Sequence, residues 1–273
     1  MSAASNIYPL LEHLLPARVL LPDHRPTHQQ RLLAGIGLPS QQGRGGESFP
    51  LATWLDEEPS VQTVYRHLRK QALKGDVDAL NDLGWVWLNG KYWRDDPDMA
   101  RQLLRMAALQ GHAVACLNLG QQHYFGKGGP VDYARAAECY AQAFERGLVS
   151  AAAALGDLYE EEVCVDTPAY PWPLQPQRAY RWFYLGAQEG DARCRFEIGL
   201  RLLHGQAVAR DRKAGEHWLE LAAQMGVMQA AEELALHFHA VDRVLAYLFW
   251  RDRAIALGSQ TALDMKLADQ LRP

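Results

Sequence analysis

Several things are scarce in this 273-residue chain. Lysine occurs six times against 22 arginines, and the 28 basic residues together are outnumbered by 32 acidic ones. A formal charge of −4 leaves no basic stripe to follow a phosphate backbone, which argues against a general nucleic-acid binder. The four cysteines, Cys116, Cys139, Cys164 and Cys194, are too dispersed for a disulfide framework, and no C-x-x-C spacing suggests zinc. Three of them fall on expected helices at slots where comparable stretches carry Leu, Ala or Trp. They read as small buried hydrophobes, kept reduced in the cytoplasm. Long apolar runs are missing as well. Ser5 to Leu15 has no basic start and is broken by Glu12 and His13, with Arg18 just beyond, so it reads as neither a secretory signal nor a bilayer span.

Catalytic signatures are equally sparse. There is no H-E-x-x-H, G-x-S-x-G or Walker loop. Gly126-Lys127-Gly128-Gly129 looks like a phosphate cradle in isolation, but it lacks the following Lys-Ser/Thr and lies in a loop between two helices. His237 and His239 are two apart on a helix and point to different faces, so they cannot share a metal. No enzyme activity, cofactor or metal is expected.

What the chain does have is a repeat, clearest from Gly111 to Gly147. Counting from Gly111, Ala115 falls at +4, Leu119 at +8, Gly120 at +9, Tyr124 at +13 and Gly126 at +15. Asp132, Ala136, Cys139 and Ala143 follow before Gly147 restarts the count. The count also works from Gly75 (Ala79, Leu83, Gly84, Gly90, Asp96, Ala100), Gly147 (Ala151, Leu155, Gly156), Gly190 (Ile198, Gly199, Gly205, Asp211) and Gly226 (Ala230, Leu234, Ala235). Spacings of 36, 36, 43, 36 and 32 residues, ending at Gly258, mark a stacked array. Apolar residues at +4, +5, +8 and +12 follow the helical period. Small residues at +4 and +9 let two backbones approach, and a helical glycine that otherwise costs about 1 kcal/mol implies a packing reason. Asp96 and Asp132 stand as caps of second helices, and the closing glycine supplies a left-handed helix end.

Ala115 to Gly147 resembles the Sel-1-like repeat, a relative of the tetratricopeptide repeat, and the resemblance extends over about residues 60 to 271. It implies an all-α, right-handed superhelical α-solenoid of helix-loop-helix repeats whose first helices line a concave, protein-binding face. Two departures stand out. Unit three has Gln175 in place of the capping Asp and carries extra residues, and unit five has lost its loop and later glycines. Some cysteine-rich members act on β-lactams, but this chain lacks their paired thiols. The resemblance implies a scaffold or adaptor, bacterial and cytoplasmic. An immunity-type inhibitor of one toxin or enzyme is the alternative.

The organisation follows. Residues 1–58 form a partly irregular arm and linker, read either as a flexible tail or as an arm docking through Leu32, Leu33, Ile36, Phe49 and Trp54. Residues 59–273 form the array of about five repeats, opened by a half-unit helix (Val64, Leu68 and Ala72 inward) and closed by a helix capped by Ser259. Two places suit recognition of a protein or peptide. One is the outward stripe of the first helices at +6, +7 and +10, including Asn81, Asp82, Trp85, Asn118, Gln121, Asp157 and Glu197. Trp87 and Leu88 fill the inner slots beside Trp85, which should leave Trp85 exposed toward the face, as a binding hot spot. The other is the insertion at residues 160–176, where Tyr170 and Trp172 alternate with prolines. It reads as a contact surface or as a seal on the side of the array. The run Glu160-Glu161-Glu162 reads as solvated charge.

Overall fold

The computed structural model describes residues 8–20, 38–40, 51, 60–160 and 173–270. The described residues are helical and contain no strand. They fall into two compact units, residues 1–148 and 149–273.

In the first unit, α1 (Tyr8–Leu14) precedes α2 (Val61–Ala72), α3 (Val77–Asn89), α4 (Pro97–Leu109), α5 (Ala113–Tyr124) and α6 (Tyr133–Glu145). Local chemistry fixes where these helices start. Asp76, Asp96 and Asp132 accept the backbone N–H of Ala79, Met99 and Arg135 at 3.1, 2.9 and 3.0 Å, satisfying donors that a first turn leaves orphaned. Pro97 sits at the first position of α4, where its missing N–H is no loss. At the other end, Gly111 and Gly147 take φ of 89° and 91°, which a side chain rarely adopts.

The helices pair as antiparallel hairpins, α3 with α4 and α5 with α6. Half-unit α2 buries Val64, Tyr65, Leu68 and Ala72 against α3. Tyr65, Trp87 and Trp93 meet edge to face with every pair of centroids 5.6 Å apart. The Tyr65 hydroxyl donates to the Pro16 carbonyl, and burial pushes its pKa up to about 12.

Residues 8–20 lie against this half-unit. Leu11, Leu15 and Val19 are buried. Arg69 donates to the Leu15 carbonyl through two nitrogens at 3.3 Å each, and the Gln62 side chain pairs with both backbone groups of Val19. In this part of the arm the apolar face is used for docking. Leu32, Leu33, Ile36, Phe49 and Trp54, expected to dock, lie outside the described residues.

In the second unit, α7 (Ala151–Glu160), α8 (Pro176–Gln188), α9 (Ala192–His204), α10 (Arg212–Gln224), α11 (Met228–Ala240), α12 (Val244–Ala256) and α13 (Gln260–Gln270) repeat the hairpin. Asp191, Asp211 and Ser259 cap α9, α10 and α13 at 2.7, 3.0 and 3.0 Å. Gln175 makes no such bond for α8. The core runs through Leu203, Leu219, Leu234, Phe238, Tyr247 and Trp250. In the shortened fifth hairpin, Asp242 takes the left-handed conformation (φ 62°) between α11 and α12. The closing helix keeps Ala262 buried, while Lys266 reaches Asp252 at 3.5 Å near the surface.

The expectation that Glu160 is simply solvated needs correction. Glu160 and Glu197 both bind the guanidinium of Arg201, whose side chain is only 6% exposed and lies 4.4 Å over the Phe183 ring. A buried arginine needs anionic partners, and the first of the glutamates supplies one. Glu161 and Glu162 lie outside the described residues.

Candidate interaction face

The first helices of unit one place Asn81, Asp82 and Trp85 on α3, and Asn118 and Gln121 on α5, with Asp82 and Asn118, and Trp85 and Gln121, at matching slots of consecutive repeats. The expected exposure does not hold. Asn81 and Asn118 are completely buried, and Asp82 and Trp85 are 3% and 7% exposed. Part of the reason is the chain itself. Leu38 to Ser40 lies across α3 and α5, hydrogen-bonded to both.

The geometry is that of an amide clasp on extended backbone. Asn118 Oδ1 accepts from Leu38 N–H at 2.7 Å, and Asn118 Nδ2 donates to the Leu38 carbonyl at 2.8 Å. Asn118 Nδ2 also donates to Asn81 Oδ1 at 2.8 Å, so the two amides form a ladder across neighbouring repeats. Asn81 Nδ2 in turn reaches the Leu38 carbonyl at 3.3 Å and Ser40 Oγ at 3.2 Å. Asp82 Oδ1 accepts from Ser40 N–H at 2.7 Å. A carboxylate and two primary amides supply the donors and acceptors that a β-ladder would otherwise provide to an isolated strand.

Two residues complete the seat that sequence reasoning did not single out. Ser40 Oγ lies 3.3 Å from the Asp78 carbonyl oxygen and 3.1 Å from His112 Nε2, which is itself 2.9 Å from Asp78 Oδ1. His112 occupies the helix-cap slot filled by Asp76 and Asp191 elsewhere, and its Nδ1 accepts from Ala115 N–H at 3.0 Å. With Nδ1 as acceptor, the ring proton is on Nε2 and points at Asp78 and Ser40. Ser40 Oγ therefore donates to the Asp78 carbonyl and accepts from Asn81 and His112.

One turn further along the same two helices, Trp85 Nε1 and Gln121 Oε1 are buried without a hydrogen-bond partner among the described residues. Trp85 is thus a buried donor next to the clasp, not the exposed hot spot expected from its slot.

The second-unit positions behave differently. Asp157 pairs with Arg193 at 2.8 Å and Glu197 with Arg201 at 2.5 Å, so both carboxylates are already neutralised. Burial raises the Asp157 pKa, opposed by Arg193. Tyr170 and Trp172 lie outside the described residues.

Other candidate chemistry resolves into structural roles. The carbonyls of Lys127 and Gly128 accept from Arg101 at 3.0 and 2.7 Å, so this glycine-rich loop presents oxygens to a cation instead of N–H groups to a phosphate. His237 pairs with Glu216 at 2.8 Å, and no metal-binding cluster occurs among the described residues. Cys116 and Cys194 are buried free thiols, their pKa values raised by burial, and that of Cys139 is pushed up to about 11 by burial and by Cys116. No helix of the described residues is long and apolar enough to cross a membrane.

Comparison with known proteins agrees with the architecture. The Sel1 repeat model matches residues 77–112, 113–148, 149–191 and 192–227, four consecutive units; the fifth hairpin, α11 with α12, lies beyond the match. An uncharacterised Neisseria meningitidis protein is 31% identical over 128 residues, 47% of this chain and 25% of its own length. Matches span only 25% and 19% of the two curated relatives. The crystal structure of a Sel1 repeat protein from Oxalobacter formigenes aligns with a TM-score of 0.60 at 26% identity, covering 71% of this chain and 78% of that one. A protective antigen of uropathogenic Escherichia coli displaying the same fold aligns with a TM-score of 0.59 at 23% identity, covering 74% and 43%. Four matched units spanning more than half of the sequence, on an all-helical α-solenoid framework, establish that the chain belongs to the Sel1 repeat family.

Proposed function

We propose that this protein is an interaction scaffold that holds a partner protein or peptide against the first helices of its N-terminal repeats, and that it is not an enzyme. Sel1 repeat proteins in general mediate protein–protein interaction. The observation that carries the reading here is the clasp of Asn81, Asp82 and Asn118 on the backbone of Leu38 and Ser40. A surface that satisfies the main chain of an extended segment is built for peptide recognition, because main-chain bonds supply affinity independent of most side chains. Rigid helices hold the amides in place before the guest arrives, which lowers the ordering cost of association. Trp85 and Gln121 extend the same face. Asp157 and Glu197, held by arginines, contribute to a surface only through those pairs.

Affinity capture from native lysate tests the reading, comparing the full chain with an Asn81→Ala/Asn118→Ala double variant. A stoichiometric partner retained by the first and lost from the second is the expected result. Equal recovery by both would place the interaction elsewhere.

A further inference from the structure

We propose that the clasp takes an extended segment of a partner protein bearing a serine or threonine two residues after a residue with a free main-chain N–H, and that Leu38-Pro39-Ser40 is the chain's own tethered competitor for that seat. The inference rests on the interaction reading above and adds the chemistry of the guest.

Each position of the resident segment is read differently. At the first, one amide, Asn118, takes both the N–H and the carbonyl of Leu38, and the residue is 39% exposed. The hydrogen bonds there are to main chain, so they do not select a side chain, but proline does not fit because it has no N–H to give. The second position is proline in the resident segment, and its rigid φ favours the extended course between two bonded neighbours. The third is where side-chain selection lies. Ser40 is 6% exposed, its N–H is taken by Asp82, and its hydroxyl meets the Asp78 carbonyl, His112 and Asn81. An alanine there leaves buried polar groups a partner short. A phosphoserine would set its charge beside the carboxylates of Asp78 and Asp82, which repel it. The guest is therefore an unphosphorylated hydroxyl residue.

Leu38 to Ser40 leave two polar atoms of this face unsatisfied. Trp85 Nε1 and Gln121 Oε1, a donor and an acceptor, are buried and unpartnered among the described residues. A guest that satisfied them would gain bonds that Leu38 to Ser40 do not make.

Tethering gives the arm an effective concentration of order millimolar, so it masks the seat from weak guests. The test uses the full chain with the arm unseated in two ways. Ser40→Lys overfills the buried third position, and Leu38→Pro removes the first N–H at a partly exposed site. The probe is a fluorescein-labelled synthetic peptide of residues 34–44, followed by anisotropy. Both variants are expected to bind it at least about tenfold more tightly than the unaltered chain. Versions of the peptide with alanine or phosphoserine in place of the serine should bind at least about tenfold more weakly. Adding Asn118→Ala to either variant should abolish binding. Failure of both variants to bind the peptide, or equal binding of its serine and alanine forms, overturns the inference. Selection from displayed random peptides separates the two readings. Enriched sequences without the hydroxyl residue sink the inference alone, and no enrichment on the unseated chain sinks the interaction reading with it. A concentration-dependent dimer of the unaltered chain, lost in Ser40→Lys, would assign the seat to a second copy's arm and overturn the proposal.

Discussion

The ring of Tyr140 lies where a side chain on Gly120 would have to go. A Cβ at Gly120 would stand 2.4 Å from two Tyr140 ring carbons and 3.2 Å from the Ala136 carbonyl oxygen. The same slot meets Leu104 at Gly84, Phe183 at Gly156 and Leu219 at Gly199, each below 3 Å. In these four hairpins, the first helix is thus pressed against the second by the absence of one methyl group; the fifth carries Ala235 at this slot. Gly120→Ala should destabilise the protein by about 1–3 kcal/mol through overpacking. This outweighs the gain of roughly 1 kcal/mol that alanine brings to a helix interior. Urea unfolding measures the difference, and a stabilised variant would remove the close-approach account.

A second prediction concerns the missing cap. Gln175 precedes α8 with φ −132° and ψ 68°, close to the backbone of the capping aspartates, yet makes no side-chain bond to the first turn. Asp211, at φ −132° and ψ 95°, does make it. Gln175→Asp should raise stability by about 0.5–1 kcal/mol, from the new hydrogen bond and the favourable helix dipole. A shift in melting temperature checks the sign, and an unchanged or lowered value counts against it.

Much of this architecture was legible because it repeats. The +9 glycines and the Asp96, Asp132 and Asp211 caps recur with the repeat, and each has a local physical cause. The clasp was legible only in part. Asn81 and Asn118, 37 residues apart on equivalent faces, were a readable signal. What covers them was not, because Leu38 and Ser40 lie 80 and 42 residues from Asn118 and Asp82 in an arm without periodicity. The repeat likewise assigns Trp85 to a face without showing that its side chain is buried there. His112 carries a further clue, a histidine at the slot where two other units place Asp76 and Asp191. Glu160 looked like surface charge because its partner, Arg201, arrives from a helix beyond the insertion.

That arginine supports a third prediction. Arg201 is held by Glu160 and Glu197 while stacking on Phe183, and its side chain is 6% exposed. Arg201→Leu would leave two half-buried carboxylates facing each other, and should cost about 3 kcal/mol at neutral pH. The loss should shrink on acidification, as the orphaned carboxylates take up protons. Glu160→Gln keeps a hydrogen-bond acceptor and should cost less. Chemical unfolding at two pH values checks both points; a pH-independent loss would show that packing on Phe183, not charge, is what the arginine contributes.

The last prediction concerns acid sensitivity within the first unit. The pKa of His123 is lowered below its ordinary 6.5, first by burial and then by Arg101, with Arg135 and Arg105 adding to the effect and Asp132 opposing it. Protonation is therefore less favourable in the folded chain than in the unfolded one. Between the lowered folded value and 6.5 the unfolded state binds more protons, so stability rises with pH across that window. The contribution is complete above the unfolded value and is lost as the solution is acidified below it. Replacing the group by an uncharged one, His123→Gln, should flatten this part of the profile without reversing it. Urea midpoints at about pH 7.5 and about pH 5.5 make the comparison, since other titrating groups change both proteins alike. A smaller loss on acidification in the variant is the expected result. Equal losses would mean that the imidazole is protonated in the folded chain as readily as in the unfolded one, and that the surrounding arginines do not govern it.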